Sequence, residues 1–438
     1  MPYIPNIVIA EHQWRRDELL SLIHQNYPTV EKGFVLLLGS LEQDTKSFVQ
    51  ESSFYYFTGV TEPGVAIVID LEGHTTLYVP NFEGRRTQWM GETIGAHNIA
   101  KYGIDECVNV GGPCSSYQLH HFFDRPEYKA LLEKLEYAVT NKQTIFTLNP
   151  ATSYGYIEQR FLLERLAQWI PGLRSAIVDI SPLVAQLRRA KNDTEIQLLN
   201  KAIEITSMAQ EVAAHMIRPG QLEYTIQAGI EHIFIDSGAQ GPSFPSIVGS
   251  GPNSTVLHYG HNNRTMQEGE VVVVDIGARF AYYCADLTRT YPVSGKFSKR
   301  QKEIYNMVLE TQQYVADLAA PGYWLSNKNE PERSLNHLAR AFLKKHGYDQ
   351  YFLHGIGHFL GLDTHDVGDV SEPLKEGDVF TIEPGIYIAA ENIGVRIEDN
   401  YWIVGKGAVC LSEQLPRKAN EVEAMVGKEL ELGPEVEA

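Results

Sequence analysis

Two short β-rich segments that carry aspartates in apolar surroundings constrain this chain most. Residues 271–293 read VVVVDIGARFAYYCADLTRTYPV, in which two runs rich in β-branched and aromatic residues flank a short connection. This pattern predicts an antiparallel hairpin. A tight turn at Phe280–Ala281 would place Asp275 directly opposite Asp286 on one face of the sheet. Like charges in that position destabilise a sheet unless a positive charge lies between them.

A second predicted hairpin repeats this arrangement with glutamates. Residues 381–388 read TIEPGIYI, and residues 394–400 read GVRIEDN. A turn centred on Ala390–Glu391 would place Glu383 opposite Glu398, although a β-bulge in either hairpin would shift the register. A solvated face or a strand end is the simpler interpretation of either pair taken alone. Two facing pairs beside apolar runs are unfavourable unless metal cations offset the charge.

A histidine-rich segment follows between these hairpins. Residues 354–366 read HGIGHFLGLDTHD and contain His354, His358 and His365. The interspersed glycines argue against a helix and favour an extended or looped segment that can approach a ligand closely. A single histidine is usually a packed or surface residue, but three histidines beside four paired carboxylates favour a metal site. Such a donor set suits two divalent ions such as manganese, and it indicates metal-assisted hydrolysis.

Charge and composition exclude several other classes of protein. The 438 residues include 37 Lys+Arg and 55 Asp+Glu, a formal net charge of −18, so we expect no nucleic-acid partner. No uncharged apolar run approaches the ~18 residues needed to span a bilayer, so we expect no membrane partner. The start of the chain lacks the features of a signal peptide. Four scattered cysteines indicate reduced thiols, and we therefore expect a cytoplasmic location.

The order of predicted elements indicates two domains. Strands and helices alternate in the first ~175 residues, which predicts an α/β layer sandwich. A long helix should then begin after Asn192, because Glu195 can complete a capping box with it, and should end before Pro219–Gly220. We therefore predict a smaller N-terminal domain at residues 1–178 and a second domain at residues 179–438.

Five segments together resemble one enzyme family. VVVVDIG, ADLTRTYPVSGKFS, HGIGHFLGLDTHDVG, TIEPGIYI and GVRIED resemble the metallopeptidases of the pita-bread fold, family M24, which include methionine aminopeptidase, prolidase, Xaa-Pro aminopeptidase and the metal-free creatinase. FYYFTGVTEPGVAIVID and TLYVP resemble the accessory domain of creatinase and aminopeptidase P. The resemblance implies an α/β (α+β) fold, with a pita-bread catalytic domain after a smaller N-terminal α/β domain.

The resemblance also implies roles for individual residues. Two divalent ions would be held, one by Asp275, Asp286 and Glu398, and the other by Asp286, His358, Glu383 and Glu398. Glu383 would accept and return the proton of the nucleophilic water. His365 would polarise the scissile carbonyl, while His258 and His354 would line the proline side of the substrate pocket. Mn²⁺ is the expected ion, with Co²⁺ and Zn²⁺ as alternatives.

Arg396 lies two residues before Glu398 and therefore on the same strand face. It could bind substrate or pair with an acidic side chain, and we expect it to bind substrate.

The N-terminal domain, the HGIGHFLGLDTHDVG segment and FPSIVGSGPNS are typical of proline-specific members of the family. We expect an Xaa-Pro aminopeptidase that acts on peptides with proline in second position. An Xaa-Pro dipeptidase (prolidase) is the alternative, because FTGVTEPG and GHFLGLDTHD are prolidase-like, whereas the short link between Ile388 and Gly394 is not. A catalytically silent peptide-binding scaffold is a third possibility that intact ligands disfavour. Family resemblance further implies a homodimer or homotetramer.

Overall fold

The computed structural model describes residues 7–43, 46–117, 125–151 and 156–427. These residues form two compact units that divide between Arg188 and Arg189. The predicted boundary between residues 178 and 179, which concerns the limits of the functional domains, stays a prediction. In the described part of the chain, no helix is both long and apolar enough to cross a lipid bilayer.

The N-terminal unit contains one mixed six-stranded sheet with helices. Its strands are β1 (Gly33–Leu38), β2 (Ala66–Asp70), β3 (Thr75–Asn81), β4 (Glu106–Pro113), β5 (Thr144–Thr147) and β6 (Ile177–Asp179). Its helices are α1 (Ile7–Asn26), α2 (Ser52–Thr58), α3 (Arg85–Met90), α4 (Lys129–Thr140), α5 (Ile157–Trp169), α6 (Leu173–Ala176) and α7 (Ser181–Arg189). The strand order is β4-β3-β2-β1-β5-β6. The predicted α/β layering of this region is confirmed.

The second unit combines long helices with small antiparallel sheets. Its helices are α8 (Asp193–Met216), α9 (Glu223–Asp236), α10 (Lys299–Leu318), α11 (Leu335–Lys345) and α12 (Ala419–Met425). Its strands are β7 (Gly241–Pro242), β8 (Ile247–Ser250), β9 (Val271–Ile276), β10 (Ala278–Phe280), β11 (Tyr283–Cys284), β12 (Leu287–Pro292), β13 (Val379–Ile382), β14 (Gly385–Ile388), β15 (Ile393–Arg396), β16 (Asp399–Val404) and β17 (Gly407–Cys410). The sheets have the orders β11-β10-β7, β12-β9-β8, β13-β16-β17 and β14-β15.

Helix α8 is hydrogen-bonded to both strands of the first hairpin. The predicted capping box is confirmed, since Asn192 Oδ1 accepts from the backbone N–H of Glu195 at 3.0 Å and Glu195 Oε2 accepts from that of Asn192 at 3.2 Å. Further along this helix, the buried Gln210 donates to the carbonyl oxygens of Val274 and Leu287 at 3.1 and 2.8 Å. The helix therefore holds the two strands next to the positions of both aspartates.

The predicted register of the first hairpin is wrong by two residues. Asp275 lies opposite Thr288, not opposite Asp286. The turn is formed by Ala281 and Tyr282, both with positive φ (47° and 71°), and not by Phe280–Ala281. Two consecutive residues with positive φ match the right-handed twist of a tight hairpin. A shift of two residues leaves every side chain on its original face, so the two aspartates still share a face, on a diagonal.

The predicted register of the second hairpin is confirmed. Gly385 lies opposite Arg396 in the β14–β15 ladder, and Ile382 lies opposite Asp399 in the β13–β16 ladder. Glu383 and Glu398 fall between these two ladders, which share one register, and therefore oppose one another. Both predicted carboxylate pairs thus lie on common sheet faces.

Candidate active site

All nine predicted site residues line one cavity of about 790 Å³ in the second unit. They are Asp275, Asp286, His358, Glu383 and Glu398, together with His258, His354, His365 and Arg396. The two hairpins, the histidine-rich segment and a loop near residues 243–260 supply them. The fold therefore brings together residues that are up to 140 positions apart in the sequence.

Three carboxylates in this cavity have buried oxygen atoms without a partner. Asp275, Asp286 and Glu398 are 8%, 5% and 2% exposed. Thr288 Oγ1 donates to Glu398 Oε2 at 2.7 Å, but Asp275 Oδ1, Asp286 Oδ1 and Glu398 Oε1 are buried with no hydrogen-bond partner among the described residues. Buried carboxylate oxygens are stable only when they are paired or coordinate metals. The residues present therefore fit divalent cations.

Burial and mutual repulsion raise the pKa values of the carboxyl groups of Asp286, Glu383 and Glu398. Burial, followed by the charge of Glu398, raises the pKa of Asp286 well above its usual range. Burial and the charge of Glu383 raise the pKa of Glu398 in the same way. Burial raises the pKa of Glu383 to about 8, against the opposing charge of Arg396. Burial and mutual repulsion therefore disfavour the charged form of these side chains, and divalent ions would favour it.

His358 presents a free nitrogen to the carboxylates. Its Nε2 lies 3.5 Å from both Asp286 Oδ2 and Glu383 Oε1. Its Nδ1 lies 3.0 Å from the carbonyl oxygen of Phe359, a contact that assigns the ring proton to Nδ1 and the lone pair to Nε2. Burial lowers the pKa of His358 to about 4, and the neighbouring His365 adds to this shift. Ligand atoms of Asp286, His358 and Glu398 lie within 4.8 Å of one another.

The segment that carries His358 is extended, as predicted from its glycines. It runs beside β13, with Leu360 donating to the carbonyl oxygen of Val379 at 3.0 Å and Thr381 donating to that of His358 at 2.9 Å. Gly357 is required at the closest approach, because a Cβ there would collide with the carbonyl oxygen of Thr381. The same short contacts hold His358 against the hairpin of Glu383.

The other histidines differ in their surroundings. His354 is half-buried, and its Nε2 lies 2.8 Å from the hydroxyl of Tyr387, while its Nδ1 lies 3.7 Å from Glu383 Oε2. His258 and His365 are exposed, and the His365 ring packs edge-on against His358 with centroids 4.2 Å apart. Desolvation of the ring, followed by the nearby His258, lowers the pKa of His365. His365 is therefore neutral near pH 7 and can donate one N–H.

Arg396 is engaged by protein groups. It is 4% exposed, and its Nη2 donates to Asp275 Oδ2 at 2.5 Å, its Nε to Thr288 Oγ1 at 3.2 Å and its Nη1 to the Tyr387 hydroxyl at 2.9 Å. These contacts match the alternative in which Arg396 pairs with an acidic side chain. Its predicted contact with substrate stays a prediction.

Sequence reasoning missed Thr288 and Tyr387. Both could have been found from strand alternation, since Thr288 follows Asp286 by two residues and Tyr387 follows Glu383 by four. Tyr387 joins Arg396 to His354, and Thr288 joins Arg396 to Glu398. The two hydroxyls therefore connect the guanidinium of Arg396 to both hairpins and to the histidine segment.

Comparison with known proteins agrees with this geometry. Residues 197–404 match the model of metallopeptidase family M24, and residues 12–112 match the aminopeptidase P N-terminal domain. The Xaa-Pro aminopeptidase of Escherichia coli K12 is 31% identical over 456 residues, which cover 95% of this chain and 97% of that protein. Human Xaa-Pro dipeptidase is 28% identical over 486 residues, which cover 95% of this chain and 93% of that protein.

Solved structures confirm the expected fold. Aminopeptidase P from E. coli with the inhibitor Pro-Leu superposes with a TM-score of 0.78 at 28% identity, over 95% of this chain and 97% of that chain. The second unit thus has the pita-bread fold, and an aminopeptidase P N-terminal domain precedes it. From the match to the family model and the 31% identity to a relative along nearly its whole length, the chain belongs to metallopeptidase family M24.

Proposed function

We propose that this protein is a metal-dependent Xaa-Pro aminopeptidase, which releases the N-terminal residue that precedes proline in a peptide. The observation that carries the proposal is one cavity that holds His358 and three buried carboxylate oxygens, of Asp275, Asp286 and Glu398, without a hydrogen-bond partner among the described residues. Ligand atoms of Asp286 and Glu398 lie within 4.8 Å of His358. Similarity to the E. coli Xaa-Pro aminopeptidase, at 31% identity, supports the substrate class.

The donor set supports two divalent ions. Asp275, Asp286 and Glu398 would hold one ion, and Asp286, His358, Glu383 and Glu398 would hold the other. Bound ions of this kind supply Lewis acidity and an activated water for hydrolysis. Four carboxylates with one imidazole favour Mn²⁺, while Co²⁺ and Zn²⁺ are alternatives. One solved structure of E. coli aminopeptidase P is described as zinc-substituted and in complex with product.

The protein's own side chains have separate tasks in this proposal. Glu383 accepts a proton at its carboxylate, which burial makes more basic than an ordinary glutamate. His365 donates an N–H to the scissile carbonyl oxygen, since its ring is neutral and exposed to the cavity. His258 and His354 line the prolyl side, and Tyr387 fixes the orientation of the His354 ring.

An Xaa-Pro dipeptidase is the second candidate, because the human enzyme of that name is 28% identical over 95% of this chain. A length series separates the two activities. We expect Mn²⁺-dependent release of alanine from Ala-Pro-Ala and Ala-Pro-Ala-Ala-Ala as well as from Ala-Pro. Cleavage of Ala-Pro alone would favour the dipeptidase. No cleavage with Mn²⁺, Co²⁺ or Zn²⁺ would favour a peptide-binding scaffold.

We propose that residues 1–178 act as an accessory domain to a catalytic domain at residues 179–438, and that the protein forms a homodimer or homotetramer in the cytoplasm. Sedimentation equilibrium measures the assembly directly. A mass of one chain at all concentrations tested would contradict the oligomer.

A further inference from the structure

One buried glutamate contacts both ends and the middle of the loop that carries His258. The His258 loop (residues 251–264) lies between β8 and β9, and Gly251–Thr255 form a short 3₁₀-helix within it. Residues 256–264 belong to no helix or strand. Such a segment has no strand ladder to fix its shape, so side-chain contacts largely determine its conformation. The glutamate that supplies them is Glu223, the first residue of α9.

The carboxylate of Glu223 is 0% exposed and accepts five hydrogen bonds. Its Oε1 accepts from the backbone N–H and the hydroxyl of Ser250, both at 2.7 Å, and from Asn253 Nδ2 at 3.3 Å. Its Oε2 accepts from the Tyr259 hydroxyl at 2.8 Å and from the backbone N–H of Arg264 at 2.9 Å. Both oxygens accept from backbone N–H groups, which is the arrangement of an ionised carboxylate. This one side chain therefore connects the start, the middle and the end of the loop to α9.

The last residue of the loop reinforces this arrangement. The side chain of Arg264 donates from Nη1 to Ser250 Oγ at 2.9 Å, and from Nη1 and Nη2 to Glu270 at 2.7 and 2.6 Å. The backbone N–H of Glu223 donates to the carbonyl oxygen of Arg264 at 3.0 Å. Ser250 and Arg264 therefore meet at Glu223, which closes the loop between them.

Tyr259 transmits this anchoring to His258. The Tyr259 side chain is 7% exposed and donates to Glu223, whereas the preceding His258 is exposed and lines the catalytic cavity. The two residues share a planar peptide bond, so a fixed Tyr259 ring restricts the backbone from which the His258 side chain extends. Glu223 itself is not among the described residues that line the cavity. Its influence on the cavity therefore passes through the loop.

A buried carboxylate is better suited to fixing one conformation than to stabilising the fold. Burial of a charge costs free energy, and apolar side chains of similar volume often stabilise a fold as well or better. A polar network whose hydrogen bonds are all made selects one arrangement of the groups that it joins. The five contacts of Glu223 form such a network around the loop of a cavity histidine. Precise placement matters there, because a displacement of about 1 Å can lower the rate by about 10²-fold.

We propose that Glu223 is a positioning residue, which holds His258 in the orientation that contacts the prolyl side of the substrate. The inference rests on the proposed peptidase function, in which His258 lines that side. Glu223 touches neither the substrate nor the metal ions in this arrangement. Its loss should therefore affect catalysis only while the His258 side chain is present.

A double-mutant cycle on the metal-loaded protein tests the assignment, with Ala-Pro-Ala as the substrate. Glu223→Gln keeps the shape of the side chain but replaces one acceptor oxygen by an NH2 group that faces donors. We expect kcat/KM to fall about 10- to 100-fold in the otherwise wild-type chain, with the number of bound ions unchanged. In His258→Ala the same substitution should change kcat/KM less than about twofold, because the side chain that Glu223 positions is gone. A general loss of folded structure would lower kcat/KM by the same factor in both backgrounds.

Two further variants accompany the cycle. Tyr259→Phe removes only the hydroxyl that joins the loop to Glu223, and it should show the same dependence on His258 with a loss of about 3- to 10-fold. If Glu223→Gln does not fold, Tyr259→Phe decides alone by the same cycle. Glu423→Gln is the matched control, since this carboxylate is 8% exposed and accepts from two lysines and a backbone N–H, but lies outside the described residues that line the cavity. It should change kcat/KM in neither background.

Equal losses in both backgrounds, or no loss in Glu223→Gln, would overturn the assignment while the peptidase function stands. If wild type cleaves no peptide, the proposed function fails, and hydrogen exchange of the loop amides then decides about Glu223. The same measurement decides if His258→Ala is too slow to assay. Faster exchange at residues 256–263 in Glu223→Gln but not in Glu423→Gln supports the positioning role. Unchanged exchange in Glu223→Gln, or an equal increase in Glu423→Gln, overturns it.

Discussion

The two sides of the cavity are built differently. The carboxylate wall (Asp275, Asp286, Glu383 and Glu398) is borne by two hairpins whose registers are fixed by backbone ladders and by contacts with Thr288 and Arg396. The histidine rim (His258 and His365) is exposed on loops. The wall concentrates buried carboxylates, of which Asp275 pairs with Arg396 and whose remaining charge divalent ions would offset, whereas the rim is exposed and can contact substrate. Changes in the wall should therefore alter metal binding, stability and turnover together, and changes in the rim should alter turnover alone.

The largest effect is expected at the wall, in Glu398→Gln. Loss of a carboxylate shared by both proposed ions should reduce kcat/KM at least about 10³-fold, since bound ions contribute several kcal/mol to the transition state. In excess chelator the variant should unfold at a higher temperature than wild type, because one buried charge has been removed without a change of shape. Steady-state kinetics and thermal unfolding measure the two changes.

Glu310→Gln is the matched control, on the exposed face of α10, and should change neither quantity. Activity of Glu398→Gln within tenfold of wild type would contradict the assignment of Glu398 to the wall. A lower unfolding temperature in chelator would contradict the claim that its charge is uncompensated.

At the rim, His365→Ala should lower kcat about 10²- to 10³-fold, as expected for loss of one donor to a developing oxyanion. The number of ions bound per chain should stay that of wild type, because the exposed ring contributes only edge-on packing to His358. Kinetics and metal analysis of the same preparation measure both. His232→Ala, at an exposed position of α9, serves as the control. Loss of metal in His365→Ala would contradict the claim that the rim affects turnover without affecting metal binding.

Tyr387→Phe tests the connection between the two sides. The change leaves Arg396 Nη1 and His354 Nε2 without the hydroxyl that each contacts at 2.9 and 2.8 Å. We expect kcat/KM to fall about 10- to 100-fold and the free energy of unfolding to fall by about 1–3 kcal/mol. Tyr224→Phe, at an exposed tyrosine, should leave both unchanged. A wild-type kcat/KM in Tyr387→Phe would mean that His354 needs no fixed orientation.

The smallest effect concerns the pH dependence of the chelated protein. The pKa of Glu383 is about 8 in the folded state, above its ordinary value of 4.5, so folding stability from this group is lost as pH rises toward 8. His354 and His358, with pKa values lowered to about 4, oppose this trend only below about pH 6.5. Between pH 6.5 and 8.0 the free energy of unfolding in urea should therefore fall by about 1–2 kcal/mol. Saturation with Mn²⁺ should remove this slope, and a flat or rising profile in chelator would contradict the account.

Strand alternation was sufficient to place the carboxylates on common faces. An error of two residues in register leaves each side chain on its original face of the sheet. Asp275 and Asp286 therefore line the same cavity, although the prediction that they lie directly opposite one another was wrong. The turn itself could not be predicted, because Ala281 and Tyr282 adopt positive φ without the glycine or asparagine that normally signals it.

The features that the sequence did not predict depend on contacts between residues far apart in the chain. Nothing in the sequence near Arg396 indicates that its guanidinium binds Asp275, 121 residues earlier, across two hairpins. The role of His258 came only from family resemblance, since an isolated histidine in a loop has no periodic signal.

The central claim is that the wall and His358 form a site for two ions. Titration of the metal-free protein with Mn²⁺, monitored by calorimetry after the chelator has been removed, tests it most directly. The account predicts two ions per chain for wild type, and weaker binding at both positions in Glu398→Gln because that carboxylate is shared. One ion or none in wild type, or unchanged binding of two ions in Glu398→Gln, would contradict it.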